Sequence, residues 1–437
     1  MTQVVAALRI FLLSLFVLLG AGCQRTEEAP KAAIKDVSLF HYWSFSGTFV
    51  GTLDAIAADI NRQNPDYVFK HTPLDHESFK ISIRNDLRLG NTADIYTYWA
   101  GARTQSIIDQ LAPLDDVLPS DEMNKLFGTS VVRSACSYNG QIYLLPVSQH
   151  FVGFYYNKKV FADNGLLPPT NWEEFLAVGK KLKAQKIIPV ALGSKAKWPA
   201  QFWFDYLLLR TAPIDYRNKL LAGDASLSDP EVKRVFSLWH DLIKADFFNL
   251  HPNEIEFDSG AAKMVRNGEA AMTLMGTWLS GHFQGMKPVW SEDSDYGFFP
   301  FPTIDPAIPR VALGPIDGLI VPKSARNIEG AKSILKYFTN SDVQEIVSRG
   351  TGAFAPNLAV ESSAYSPLKN AIRSEIAESS VWAFNYDLAT PPEKAEIGLS
   401  LFAEFLEFPD QYPMLLEKAE QRMQRLVVNS DQSPDSK

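Results

Sequence analysis

Residues 37–43 read VSLFHYW, apolar or aromatic at almost every position instead of at every second one. A strand that alternates is buried on one face, whereas a strand without alternation belongs inside a sheet covered by helices on both sides. Downstream, Phe49, Leu53, Ile56 and Ile60 recur at helical spacing until Asn64-Pro65 stops the run. Residues 67–71 then read as a second strand, residues 93–99 (ADIYTYW) as a third, and residues 103–111 as the helix behind it. Strand and helix alternate, so the fold class is α/β with mostly parallel sheets flanked by helices.

The same grammar continues. Thr170 and Glu173 form an expected capping box before a helix whose apolar face is Trp172, Phe175, Leu176 and Leu182, and residues 187–192 (IIPVAL) return as a strand. Ser228 and Glu231 suggest a second capping box. The helix behind it carries Val232, Val235, Phe236, Trp239, Leu242 and Ile243 on one face, which assigns Trp239 to the core. Ala331, Ile334, Leu335 and Phe338 mark a further helix. A chain of 437 residues exceeds what one hydrophobic core organises, so two lobes are expected.

The N-terminus reads differently. Arg9 precedes a nearly unbroken apolar run over residues 10–19, and Gly20-Ala21-Gly22 supplies small residues before Cys23. About 20 apolar residues are needed to cross a bilayer, so this run is too short to span and reads as a signal peptide, residues 1–22. It looks like a bacterial lipobox with Cys23 as the lipidation site, although Gly20 stands where that motif usually has Leu. Residues 23–35 then form a polar lipidated tether, and the tail from Asn429 is expected to fray.

The formal net charge of −8 leaves no basic surface for nucleic acid. With Cys23 lipidated, the only other cysteine, Cys136, has no disulfide partner and is expected as a small buried apolar residue. Hydrolase, metal and phosphate-loop signatures are missing, the seven histidines are scattered, and no cofactor is implied. Gly350-Thr-Gly352-Ala-Phe-Ala355 mimics a dinucleotide fingerprint but follows a helix, so a hinge or turn fits it better. What the chain has instead is nine Trp, fifteen Tyr and twenty-eight Phe. Many stand among small polar residues, as in 42–47 (YWSFSG), Tyr98-Trp99, Gln149-His150, 198–203 (WPAQFW) and Gly276-Thr277-Trp278. Flat apolar platforms flanked by hydrogen-bonding groups suit a sugar, which presents C–H faces and a rim of hydroxyls.

Six segments in order carry a resemblance: LFHYWSFSG (39–47), ADIYTYWAGA (93–102), GQIYLLPVSQHFVGFYYNKKVF (140–161), NWEEFLAVGKKLKAQKIIPVALG (171–193), NGEAAMTLMGTWL (267–279) and GPIDGLIVPKSARNIEGAKSILKYF (314–338). Together they resemble the bacterial extracellular solute-binding proteins of sugar ABC transporters, the group that includes maltose-binding protein. The resemblance implies a two-lobed periplasmic-binding-protein fold joined by three hinge crossings, near residues 149–153, 297–301 and 349–354. Lobe one is then 36–148 with 302–348, and lobe two 149–301 with 349–430. Gly297, Gly350 and Gly352 agree with backbone rotation at the crossings. The implied protein is a non-enzymatic monomer, lipid-anchored in the periplasm or at the cell surface, that takes a neutral mono- or oligosaccharide to ABC transmembrane subunits. Its ligand-binding candidates are Trp43, Ser44, Trp99, Gln149, His150, Trp278 and Asp317, the last with a turn role after Gly314-Pro315 as the alternative. Trp203 and Trp382 are candidates with a core role equally open. The rival readings are a same-fold protein for another small solute and an exported carbohydrate-active hydrolase.

Overall fold

The computed structural model describes residues 35–43, 47–64 and 66–431. The signal segment, Cys23, the tether up to residue 34 and Ser44 therefore lie outside the described residues.

Two sheets organise the chain. The strands that matter are β1 (Lys35–His41), β2 (Tyr67–Pro73), β3 (Ile95–Trp99), β4 (Leu145–Gln149), β5 (Val152–Asn157), β6 (Ile188–Val190), β7 (Ala270–Gly276), β8 (Tyr296–Phe299), β9 (Val311–Leu313), β10 (Ile316–Ile320) and β11 (Val381–Ala383). The first sheet runs β2-β1-β3-β10-β4 and the second β8-β5-β7-β6, with β9 and β11 paired apart. The molecule is α/β with two lobes, but its sheets are more mixed than the sequence suggests. β1 is parallel to β2 and β3, whereas β10 runs antiparallel to both β3 and β4. In the second sheet only β6 and β7 are parallel. β10 enters the first sheet only after the chain has passed through the second, so it is not joined to β3 or β4 by the strand-helix-strand crossover that makes neighbouring strands parallel.

Each sheet has its own core. Val37, Leu39, Ile95, Leu145 and Val147 pack with Leu319, Ile334 and Val347 around the first, and Leu53, Ile56 and Ile60 of the helix Gly47–Gln63 cover it. Phe154, Phe175, Trp203, Phe236, Trp239 and Phe402 build the second. Val311 and Leu313 of β9 also belong to the second core. Trp239 is fully buried on the helix Pro230–Lys244, as its spacing requires, and Cys136 is buried with its thiol pushed up by desolvation.

Local details depart from the sequence reading. The helix expected over 103–111 is a single turn, Ala102–Gln105, followed by a 3₁₀ turn, Ile108–Gln110. The Thr104 hydroxyl donates to Trp99 O and the Ser106 hydroxyl to Arg103 O, competing with a continuing helix. The first capping box is shifted by one residue: Asn171 caps by accepting from Glu174 N, and the Glu174 carboxylate accepts from Thr170 N. At the second, Asp229 holds the cap position with Pro230 at the first helical residue, and its carboxylate instead accepts from Ser226 N and Tyr216 Oη. Leu176 is exposed and takes no part in the apolar face of the helix Trp172–Ala184. The last helix, Tyr412–Asp431, carries on two residues past the point where fraying was expected. Gly297 sits inside β8, Gly350 inside the helix Ser341–Thr351, and Gly352 ends that helix at φ +76°.

Candidate functional site

β1 and β3 end, and β10 begins, at the same edge of the first sheet, where Asp317 stands in register with Trp99. The residues at this edge form one wall of a cavity between the lobes. Opposite them, β7 of the second sheet leads by way of Thr277 into the helix Trp278–Gly285, whose first residue turns its indole to the cavity. Gly276 makes room for that indole: a Cβ there would lie 2.0 Å from the Trp278 ring. Gly101 plays the same part in the other wall, at φ +90° and with Leu388 O 2.4 Å from where its Cβ would be.

The cavity encloses about 100 Å³. Aromatic rings run round it. Tyr42 stacks on Trp99 at 4.5 Å and 12°, Trp99 meets His76 at 5.3 Å, and His76 reaches across to Trp198 at 5.8 Å. Trp198 meets Trp278 at 5.9 Å, and Trp278 meets His150 at 5.3 Å. His76, Trp99 and Tyr42 come from the first lobe, Trp198 and Trp278 from the second.

Several of the lining residues carry buried polar atoms. Arg103 Nε, Trp278 Nε1 and Asn385 Oδ1 belong to lining residues, are buried, and have no hydrogen-bond partner among the described residues. Burial raises the Asp317 carboxyl to about 7, against the opposing pull of the Tyr42 hydroxyl beside it. Burial lowers His150 to about 3, and the Lys369 charge adds to the effect. His150 Nδ1 is 3.0 Å from Thr277 Oγ1, and its Nε2 lies 3.9 Å from Asp317. Arg103 Nη2 donates to Asp387 Oδ2 at 2.9 Å, while Asn385 Nδ2 donates to Asp387 Oδ1 at 2.6 Å.

Of the residues singled out in the sequence, Trp43, Trp99, His150, Trp278 and Asp317 line this cavity together. Gln149 does not: its backbone bridges to Phe354. Trp203 is fully buried in the second core, and Trp382 is half-buried with its Nε1 donating to Gly314 O; neither lines the cavity. Sequence reasoning missed Tyr42, His76, Arg103, Trp198, Asn385 and Asp387. Tyr42 and Trp198 lie inside segments marked as aromatic and polar. Arg103 and Asp387, 284 residues apart, left no local signal.

A family model described as bacterial extracellular solute-binding protein matches residues 46–345. The chain is similar to an uncharacterised ABC transporter extracellular-binding protein of Pyrococcus horikoshii, 26% identical over 374 residues and covering 82% of each chain. It is also similar to the multiple sugar-binding protein of Streptococcus mutans serotype c, 21% identical over 328 residues, 74% of this chain and 75% of the other. Among solved structures, a bacterial solute receptor described as having an exclusive substrate preference for β-D-galactopyranose superposes with TM-score 0.82 at 24% identity, covering 90% of this chain and 99% of that one. A chitin oligosaccharide binding protein gives TM-score 0.76 at 23% identity, covering 88% and 97%. At these identities the structural likeness establishes the fold.

Proposed function

The chain belongs to the bacterial extracellular solute-binding proteins, and on that footing we propose that it is the receptor of an ABC importer, closing its lobes around a saccharide and passing it to transmembrane subunits. The observation that carries this reading is that Arg103, Trp278 and Asn385, each with a buried polar atom lacking a partner among the described residues, line a cavity walled by aromatic rings. Burying a polar group without a partner costs about 1–3 kcal/mol, and a polyol returns that cost because each hydroxyl both donates and accepts. The rings cover its C–H faces.

The protein acts by binding alone in this reading. A glycosidase needs two carboxyl groups free to act on the glycosidic bond. Asp317 and Asp387 are the carboxyl residues lining the cavity, and Asp387 has both oxygens engaged by Arg103 and Asn385. The lobe division expected from the sequence is part of the proposal with one change: β9 packs in the second core, so residues 302–313 go with lobe two, leaving 36–148 with 314–348 as lobe one and 149–313 with 349–430 as lobe two. So are the monomeric state and the lipid anchor on Cys23 in the periplasm or at the cell surface: Cys23→Ser should release the protein from membranes, and retention at wild-type level refutes the anchor. Among the described residues no helix is long and apolar enough to cross a membrane.

A thermal-shift screen against mono- and oligosaccharides tests the function, since ligand at about 100 times its Kd stabilises by about 2.7 kcal/mol. A shift with amino acids or polyamines and none with sugars overturns it.

A further inference from the structure

Lys80, Trp99 and Arg103 line a second cavity as well as the first. This groove encloses about 550 Å³ and lies between the lobes beside the aromatic cavity. Its walls carry Lys80, Arg84 and Arg103 from the first lobe and Lys195 and Lys197 from the second, against Glu77 and Glu396. Five cations face two carboxylates on a chain whose net charge is −8.

Part of this charge is already matched. Lys80 pairs with Glu77, Arg103 with Asp387, and Lys195 with Glu256. Arg84 and Lys197 have no ion pair among the described residues; Arg84 Nε donates to Lys80 O and Lys197 Nζ to Ser400 Oγ. Lys197 also holds φ +63°, a conformation strained for a residue with a Cβ. It stands directly before Trp198, so one strained turn sets an ammonium on the groove and an indole on the aromatic cavity. A cleft in which cations outnumber carboxylates carries a net positive field, and such a field concentrates anionic ligands.

We propose that the ligand is an anionic saccharide, its ring held in the aromatic cavity and its carboxylate or phosphate in the groove against Arg84 and Lys197. The proposal rests on the saccharide reading above and narrows it to acidic sugars, in place of the neutral ligand expected from the sequence. Both anions offer oxygens that accept charge-assisted hydrogen bonds from these side chains.

Calorimetry on matched sets tests it: hexoses, the derived hexuronic acids, the hexose phosphates, and disaccharides with and without a terminal uronic acid. At low salt an acidic member should bind at least about tenfold tighter than its neutral counterpart, and the advantage should shrink in about 0.5 M salt, where exposed charges are screened. A lead for the uronates or for the phosphates supports the proposal and identifies the anion. Arg84→Gln with Lys197→Gln should bring the acidic-to-neutral ratio toward one, while Lys180→Gln, the same kind of charge change on an exposed helix face, should leave the ratio intact. Neutral sugars binding as tightly as acidic ones, or a ratio that survives the double substitution, overturns the groove proposal and leaves the saccharide reading standing. Binding of no member of any set overturns both.

Discussion

Asp317 brings an ionisable carboxyl into a wall of aromatic rings, and burial raises it from 3.8 to about 7. Its folded-state value lies above its unfolded value, so the folded protein holds the extra proton and the stability this contributes is complete below about pH 4. It is lost as pH rises toward 7, where the buried group must ionise. Asp317→Asn removes the titration: its stability relative to wild type should rise between pH 4 and pH 7 and level off above, by about 2–4 kcal/mol in denaturant unfolding. A difference that does not vary with pH contradicts the assignment. Trp278 and Trp239 form a second comparison. Trp278→Ala should weaken a bound saccharide at least about tenfold, through lost stacking and lost apolar contact. Trp239→Ala removes a core side chain and should cost about 3–5 kcal/mol of stability, with the affinity of the folded fraction retained in calorimetry.

Elements decided how much of this was legible in advance. Trp239 was readable because the helix Pro230–Lys244 has one apolar face, so spacing separates core from surface. The helix Gln201–Leu209 has every residue buried, and periodicity gives no face by which to place Trp203. Trp198, in the short turn before it, lines the cavity although nothing in the spacing distinguishes the two. β3 was legible as a strand and Trp99 as its last residue, but the loop after it is held by the distant segment Asn385–Leu388 through Arg103 and Asp387. That pair is almost fully buried. Arg103→Leu leaves the Asp387 carboxylate without its cation, and the loss should be about 3–5 kcal/mol, read by urea denaturation; a loss below about 1 kcal/mol, typical of an exposed pair, contradicts the burial argument.

At the scale of the molecule, the two cores were foreseeable from length, and their interleaving was not, because strand order is a property of long-range pairing. β10 lies between β3 and β4, which are joined through it and not to each other. A chain ended at residue 300 keeps β1 to β4 yet lacks the strand that unites them. Its β3 and β4 amides should exchange with deuterium far faster than in the full chain, read by mass spectrometry of the digested fragment; protection equal to that of the full chain contradicts the pairing. The order of synthesis gives this insertion a further meaning. A polypeptide emerges from the ribosome N-terminus first, and here the leading sheet stays incomplete until Ile320 has appeared. The topology thus acts as a delay, since that sheet cannot close until the strand that lies between β3 and β4 has been made.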